Sequence, residues 1–189
     1  MRVGRSERIL SDLRWQRRAV LAALAALVMA LLTFPLVTPA RAAGEQIGPV
    51  TGLKLPRYAS LRYDKTNVRM GPTKNHDTAF IFQRAGLPVE IIAESDTWRR
   101  IRDSEGGEGW VLASLLSGRR TALVAPWKRN EILMLYSRPQ AGEVVAKLQA
   151  GVLANVKTCL NGWCRVFGEG FDGFLPQSEL WGVYPDEQL

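Results

Sequence analysis

Few residues of this 189-residue chain have the chemistry for catalysis or metal binding: one histidine, His76, and two cysteines, Cys159 and Cys164. A nucleophilic mechanism requires a thiol or hydroxyl held beside a base. His76 stands in the polar run Pro72-Thr73-Lys74-Asn75-His76-Asp77 and reads as a solvated loop residue. One histidine and a C-x4-C pair fall short of the four ligands of a closed zinc site. Asp103, Glu105 and Glu108 share a glycine-rich turn, with no apolar wall nearby in sequence to raise one pKa above another, as acid–base pairing requires. Gly168-Glu169-Gly170-Phe171-Asp172-Gly173 satisfies G-x-G-x-x-G, but a dinucleotide fingerprint opens a helix. This run continues into Phe174-Leu175-Pro176 and reads as a hairpin turn. No catalytic residue, cofactor or metal is expected.

The aromatic residues carry more. In Trp98-Arg99-Arg100-Ile101-Arg102 a strand alternates its faces, setting Trp98, Arg100 and Arg102 against Arg99 and Ile101. With Ile101 inward, Trp98 projects outward beside two arginines, a contact surface for a peptide, glycan or acidic partner. The alternative is a ring that caps the end of a barrel or packs on a neighbouring unit.

The elements that position these residues occur twice. Asn67-Val68-Arg69-Met70-Gly71-Pro72 aligns with Met134-Leu135-Tyr136-Ser137-Arg138-Pro139, Trp98 with Trp163, Gly109-Trp110-Val111 with Gly173-Phe174-Leu175, and Ser114-Leu115-Leu116 with Ser178-Glu179-Leu180. Each copy of roughly 60 residues holds short runs rich in Val, Ile, Phe and Trp, separated by turn clusters such as Ser95-Asp96-Thr97. Five short strands are too few for a sandwich, whereas a small, partly open barrel closes most of its edges. The predicted fold is all-β, with two tandem barrels at 57–118 and 126–189. A connecting strand at 119–125 carries an apolar run around Leu123 through which the barrels would share core residues, and residues 43–56 form an N-terminal arm.

Residues 1–42 read as a leader: arginines 2, 5, 8, 14, 17 and 18, an apolar run from Ala19 to Val37, then Pro39-Ala40-Arg41-Ala42. The order is that of an export signal cleaved after Ala42; the length of the apolar run leaves an uncleaved anchor as the alternative, in which case the membrane is engaged only through this segment. These 42 residues hold seven of the Lys and Arg and two of the Asp and Glu, and so account for five of the seven net positive charges. The remaining +2 on residues 43–189 is not the basic footprint of a nucleic-acid binder. The protein is expected in the periplasm or secreted.

An exported chain permits a disulfide, and Cys159-Leu160-Asn161-Gly162-Trp163-Cys164 places one. Asn-Gly at the centre is a type I′ hairpin turn. Leu160 and Trp163 then flank it, and Cys159 and Cys164 are the next pair outward, about 4.5 Å apart at Cα and inside the disulfide range. By alternation the bridge sits on the core side with Val166. In the first copy Ile92 or Ala93 and Arg99 fall at the corresponding places.

Asn67-Val68-Arg69-x-Gly71-Pro72, Ala85-Gly86-Leu87-Pro88-Val89, Trp98-Arg99-Arg100-Ile101 and Gly109-Trp110-Val111 together resemble a bacterial SH3-like domain. Ser114 to Thr121, with Cys159 and Gly162-Trp163-Cys164-Arg165-Val166, resembles the tandem SH3-like proteins of the alphaproteobacterial cell envelope. The resemblance covers about residues 56–184; the second copy lacks the Asn-Val-Arg-x-Gly-Pro signature and carries Phe174 in place of Trp. It implies a non-enzymatic binding or scaffold protein recognising peptidoglycan or an envelope protein. The rival class is a cell-wall hydrolase, and the nucleophile, base and metal set it needs is missing from the sequence. Oligomeric state is not legible.

Overall fold

The computed structural model describes residues 46–140 and 142–189, and the expected leader lies outside the described residues. The first repeat comprises β3 (Arg57–Leu61), β4 (Thr66–Arg69), β5 (Thr78–Phe82), β6 (Pro88–Ser95), β7 (Trp98–Arg102), β8 (Glu108–Leu112), a 3-10 turn at Ala113–Leu115 and β9 (Leu116–Ser117). The second comprises β10 (Thr121–Val124), β11 (Ile132–Tyr136), β12 (Val144–Gln149), β13 (Leu153–Leu160), β14 (Trp163–Gly168), β15 (Phe171–Pro176), a 3-10 turn at Gln177–Glu179 and β16 (Leu180–Trp181). Hydrogen-bonded neighbours run β5-β4-β8-β7-β6-β3-β9 in one sheet and β12-β11-β15-β14-β13-β10-β16 in the other. Adding seven to each label of the first order yields the second. The chain is all-β, built of two partly open barrels on one plan.

Each barrel closes on its own core. Alternate residues of the strands bury Leu61, Val68, Val89, Ile101 and Val111 in the first, and Val124, Leu135, Ala154, Val166 and Leu175 in the second. Burying a side chain of this size contributes about 1.5–3 kcal/mol, which for a barrel of some 60 residues is a thin margin. Both barrels add a cross-link at the same hairpin. In the second, Asn161 and Gly162 take positive φ, Leu160 pairs with Trp163, and Cys159 is bonded to Cys164 across a Cα–Cα distance of 4.1 Å, buried in the core.

In the first barrel the Asp96-Thr97 turn pairs Ser95 with Trp98 and therefore Glu94 with Arg99. The residue opposite Arg99 is thus Glu94, not Ile92 or Ala93. A bulge between Ile91 and Ala93 shifts the register and brings the carboxylate inward. The Glu94 side chain is fully buried. It accepts from Arg57 Nη2 at 2.7 Å, Thr51 Oγ1 at 2.6 Å and the backbone N–H groups of Thr51 (2.9 Å) and Val50 (3.0 Å), with Arg99 Nε at 3.5 Å. Burial alone would push this carboxyl up. The hydrogen bonds from Thr51, Arg57 and the backbone outweigh it and hold the pKa at about 2.

The same carboxylate organises the expected N-terminal arm, which is a hairpin: β1 (Gln46–Ile47) pairs with β2 (Lys54–Leu55), and Leu55 enters the first core. Gly48 passes so close that a Cβ there would lie 2.5 Å from Glu94 Oε2.

The 119–125 segment supplies β10, which pairs with β13 and β16 inside the second sheet, the place β3 takes in the first. The two cores are separate, and Leu123 is only half-buried on a surface groove rather than shared between them. The barrels meet instead through polar and aromatic groups. Tyr58 of β3 packs on Tyr184 and Trp181 at ring distances of 4.7 and 5.4 Å. The Tyr184 hydroxyl donates to Glu90 Oε1 at 2.9 Å, while Glu90 Oε2 accepts from Arg102 Nε and Nη2 at 2.9 and 2.6 Å. Burial and this carboxylate together raise the Tyr184 pKa far above that of a free tyrosine. Thr121 Oγ1 donates to Gly86 O at 2.6 Å, so β10 is tied to the first barrel as well.

Candidate binding cleft

The candidate site forms where β4 crosses β8. Alternation along β4 turns Val68 into the core and Lys65, Asn67 and Arg69 outward. Arg69 pairs with Trp110, an approach that requires a glycine at 109: a Cβ there would sit 2.9 Å from the Arg69 carbonyl oxygen and 2.4 Å from Val68 Cγ1. Carrying that register along the strands sets Asn67 level with Leu112, which β8 pairs with Trp98. The β4–β5 loop supplies the rim. His76 lays its ring over Gly71 and places Nδ1 2.8 Å from Thr73 Oγ1, while Arg69 Nη1 donates to the His76 carbonyl at 2.7 Å. The single histidine thus shapes the loop that carries Lys74.

The resulting cleft has a volume of about 300 Å³ and is lined by Lys65, Asn67, Arg69, Lys74, Trp98, Leu112 and Leu115. Three cations and no carboxylate line it. Lys65, Arg69 and Lys74 form no ion pair among the described residues. Trp98, expected to project outward, is 7% exposed. At the start of β7 the ring is largely buried and lines the recess together with Leu112 of β8 and Leu115 of the 3-10 turn. The expected trio is dispersed. Arg100 points to solvent and pairs with Glu108 at 2.8 Å, Arg102 faces Glu90 at the junction of the barrels, and only Trp98 lines the cleft. The candidate cleft adds Lys65, Asn67, Arg69 and Lys74, which the alternation of β7 does not point to. Their signal in the sequence is the spacing Lys65-x-Asn67-x-Arg69.

In the second barrel the matching positions are Ile132, Met134, Tyr136, Trp163, Pro176 and Glu179. Tyr136 stands at the position of Arg69 and packs edge-on to Trp163 at 6.0 Å, and Glu179 is paired with Lys128 at 2.7 Å. The remaining groups with chemical potential have local uses. Asp103 Oδ1 accepts from Glu105 N and Gly107 N, closing its turn, and Gly168 pairs with Phe171 across a hairpin whose turn is Glu169-Gly170.

Residues 62–118 and 129–182 each match the family model described as Bacterial SH3 domain. No curated protein matches the chain. Among solved structures, the chain is similar to NlpC2 from Trichomonas vaginalis, with 16% identity and TM-score 0.29 over 67% of this chain and 48% of the other. It is also similar to NlpC1 from the same organism, with the same identity and score over 71% of this chain and 48% of the other. The chain therefore spans about half the length of those two proteins.

Proposed function

We propose, from the premise that this chain belongs to the bacterial SH3 domain family and carries two copies of the domain, that it is a non-enzymatic binding protein of the cell envelope. The first barrel holds the ligand and the second serves as its rigid partner. The observation that carries this reading is the cleft at Trp98: an open recess with three cations, none of them neutralised from within the described residues. Such a recess recognises and orients a ligand without a covalent step. Its ligand class is peptidoglycan or an envelope protein, met in the periplasm or outside the cell; the buried Cys159–Cys164 bridge supports an oxidising setting.

Retention of the protein by purified sacculi and by a solubilised membrane extract tests this. Lys65→Gln with Arg69→Gln is expected to weaken retention on one of the two matrices about tenfold, with the melting temperature unchanged, since both residues lie outside the core. Retention that is unaffected on both matrices would contradict the assignment of the cleft.

A further inference from the structure

The walls of the cleft are unlike, and that difference constrains the ligand. Resting on the reading of this cleft as the ligand site, we infer that it takes an extended acidic segment of another envelope protein, one in which carboxylate and apolar side chains alternate. The basic side is β4 with the residue that leads into it. Lys65, immediately before the strand, and Arg69, at its end, are four residues and therefore at most roughly 13 Å apart at Cα, with Asn67 between them. Arg69 is held at its end by the bond to the His76 carbonyl. The charge is thus spread along a line rather than gathered on a point, which suits a linear polyanion better than a single small anion. The rest of the lining, on β8, β7 and the 3-10 turn, is apolar: Trp98, Leu112 and Leu115.

An extended peptide sends successive side chains to opposite sides with a period of two. Laid along the cleft, carboxylates at i, i+2 and i+4 cover the same 13 Å, meeting Lys65, the Asn67 amide and Arg69 in turn, with Lys74 at the rim. Apolar residues at i+1 and i+3 then face Trp98 and the leucines. A nucleic-acid strand would also present spaced anions, but its bases stack on open ring faces. Trp98, 7% exposed, offers a recess wall suited to a leucine-sized side chain. The net charge of +2 on residues 43–189 is likewise no footprint for nucleic acid.

Calorimetric titration of the purified protein with three blocked five-residue peptides tests the inference: one alternating glutamate and leucine, one alternating glutamine and leucine, and one with three glutamates followed by two leucines. The alternating acidic peptide is expected to bind about tenfold more tightly than the other two. Its affinity should fall about fivefold between 50 and 300 mM salt. Lys65→Gln and Arg69→Gln should each weaken it about three- to fivefold, while Lys147→Gln on the second barrel should leave it unchanged. Equal binding of the glutamine or the block peptide would overturn the inference, as would indifference to both cleft substitutions. If sacculi retain the protein through Lys65 and Arg69 while the acidic peptide does not bind, the inference fails and the cleft stands. If the peptide binds and no envelope fraction is retained through those residues, the proposed function fails instead.

Discussion

The two barrels share one strand order and differ at two matched places, and each difference exchanges one kind of chemistry for another. At the tip of the central hairpin the first barrel has Glu94 opposite Arg99, an ionic knot that also holds Arg57 and the N-terminal hairpin, while the second has Cys159 bonded to Cys164. Across the crossing of β4 and β8 the first barrel sets Lys65, Asn67 and Arg69 beside a recessed Trp98; the second sets Ile132, Met134 and Tyr136 beside Trp163, with the Tyr136 ring edge-on to it. The inward pair of the hairpin is linked in both copies, by charge in one and by a covalent bond in the other. The outward face of the crossing strand carries no core residue, so its side chains can differ between the copies: a site is proposed on one, and an aromatic pair stands on the other.

The largest effect is expected from Glu94→Gln. It leaves Arg57 and the buried Arg99 without a full counter-charge, and breaking a buried pair in this way costs about 3–5 kcal/mol. Thermal unfolding should report a midpoint lower by some 6–20 °C, with amide exchange accelerated at Val50 and Thr51. A loss under about 1 kcal/mol would break the equivalence between the two cross-links. Reducing the Cys159–Cys164 bridge is expected to cost less, about 2 kcal/mol for so short a loop, measured as the difference between melts with and without a thiol reductant; a penalty larger than that of Glu94→Gln would reverse the comparison.

Acid should separate the two devices more gently. Because the folded-state pKa of Glu94 is depressed to about 2, its contribution is complete above the ordinary value near 4.5 and is lost as pH falls towards 2. Protection of the Thr51 amide should decay across that window while the disulfide hairpin, whose cross-link does not titrate, keeps its own. Loss of Thr51 protection already at pH 6 would contradict the assignment of that amide to Glu94. The smallest effect is a gain: Ile132→Lys, Met134→Asn and Tyr136→Arg combined should open the second recess and give it weak affinity for the alternating acidic peptide, about 1 kcal/mol for the paired charges. Unchanged stoichiometry in a folded variant would show that the aromatic pair is not what separates the barrels.

The fold was legible because its signals are local. Asn161-Gly162 dictates a two-residue turn, the turn dictates which residues face each other, and the paired cysteines follow from it. The repeated Gly-aromatic-aliphatic step likewise marks where β8 and β15 must admit a crossing strand, as Gly109 and Gly173 do. What failed was non-local. Trp98 is outward by alternation, yet it is largely buried in a recess shared with residues of β4, β8 and the 3-10 turn, and no pattern within Trp98-Arg99-Arg100-Ile101-Arg102 announces that. Alternation puts Arg102 on the strand face of Trp98, but Glu90, itself held by the Tyr184 hydroxyl of the other barrel, pairs with it at the junction instead. The N-terminal hairpin was invisible for the same reason: its organiser, Glu94, lies more than 40 residues downstream of Val50 and Thr51.

The central claim, that the first barrel binds and the second does not, is tested most directly by site-specific photo-crosslinking in intact cells. A photoreactive residue would be placed at Asn67 in one strain and at the matching Met134 in another, with the adducts resolved on denaturing gels. A discrete adduct from position 67, reduced several-fold in yield by Arg69→Gln, and none from position 134 is the expected result. Adducts from position 134 alone, or equally from both, would contradict the account.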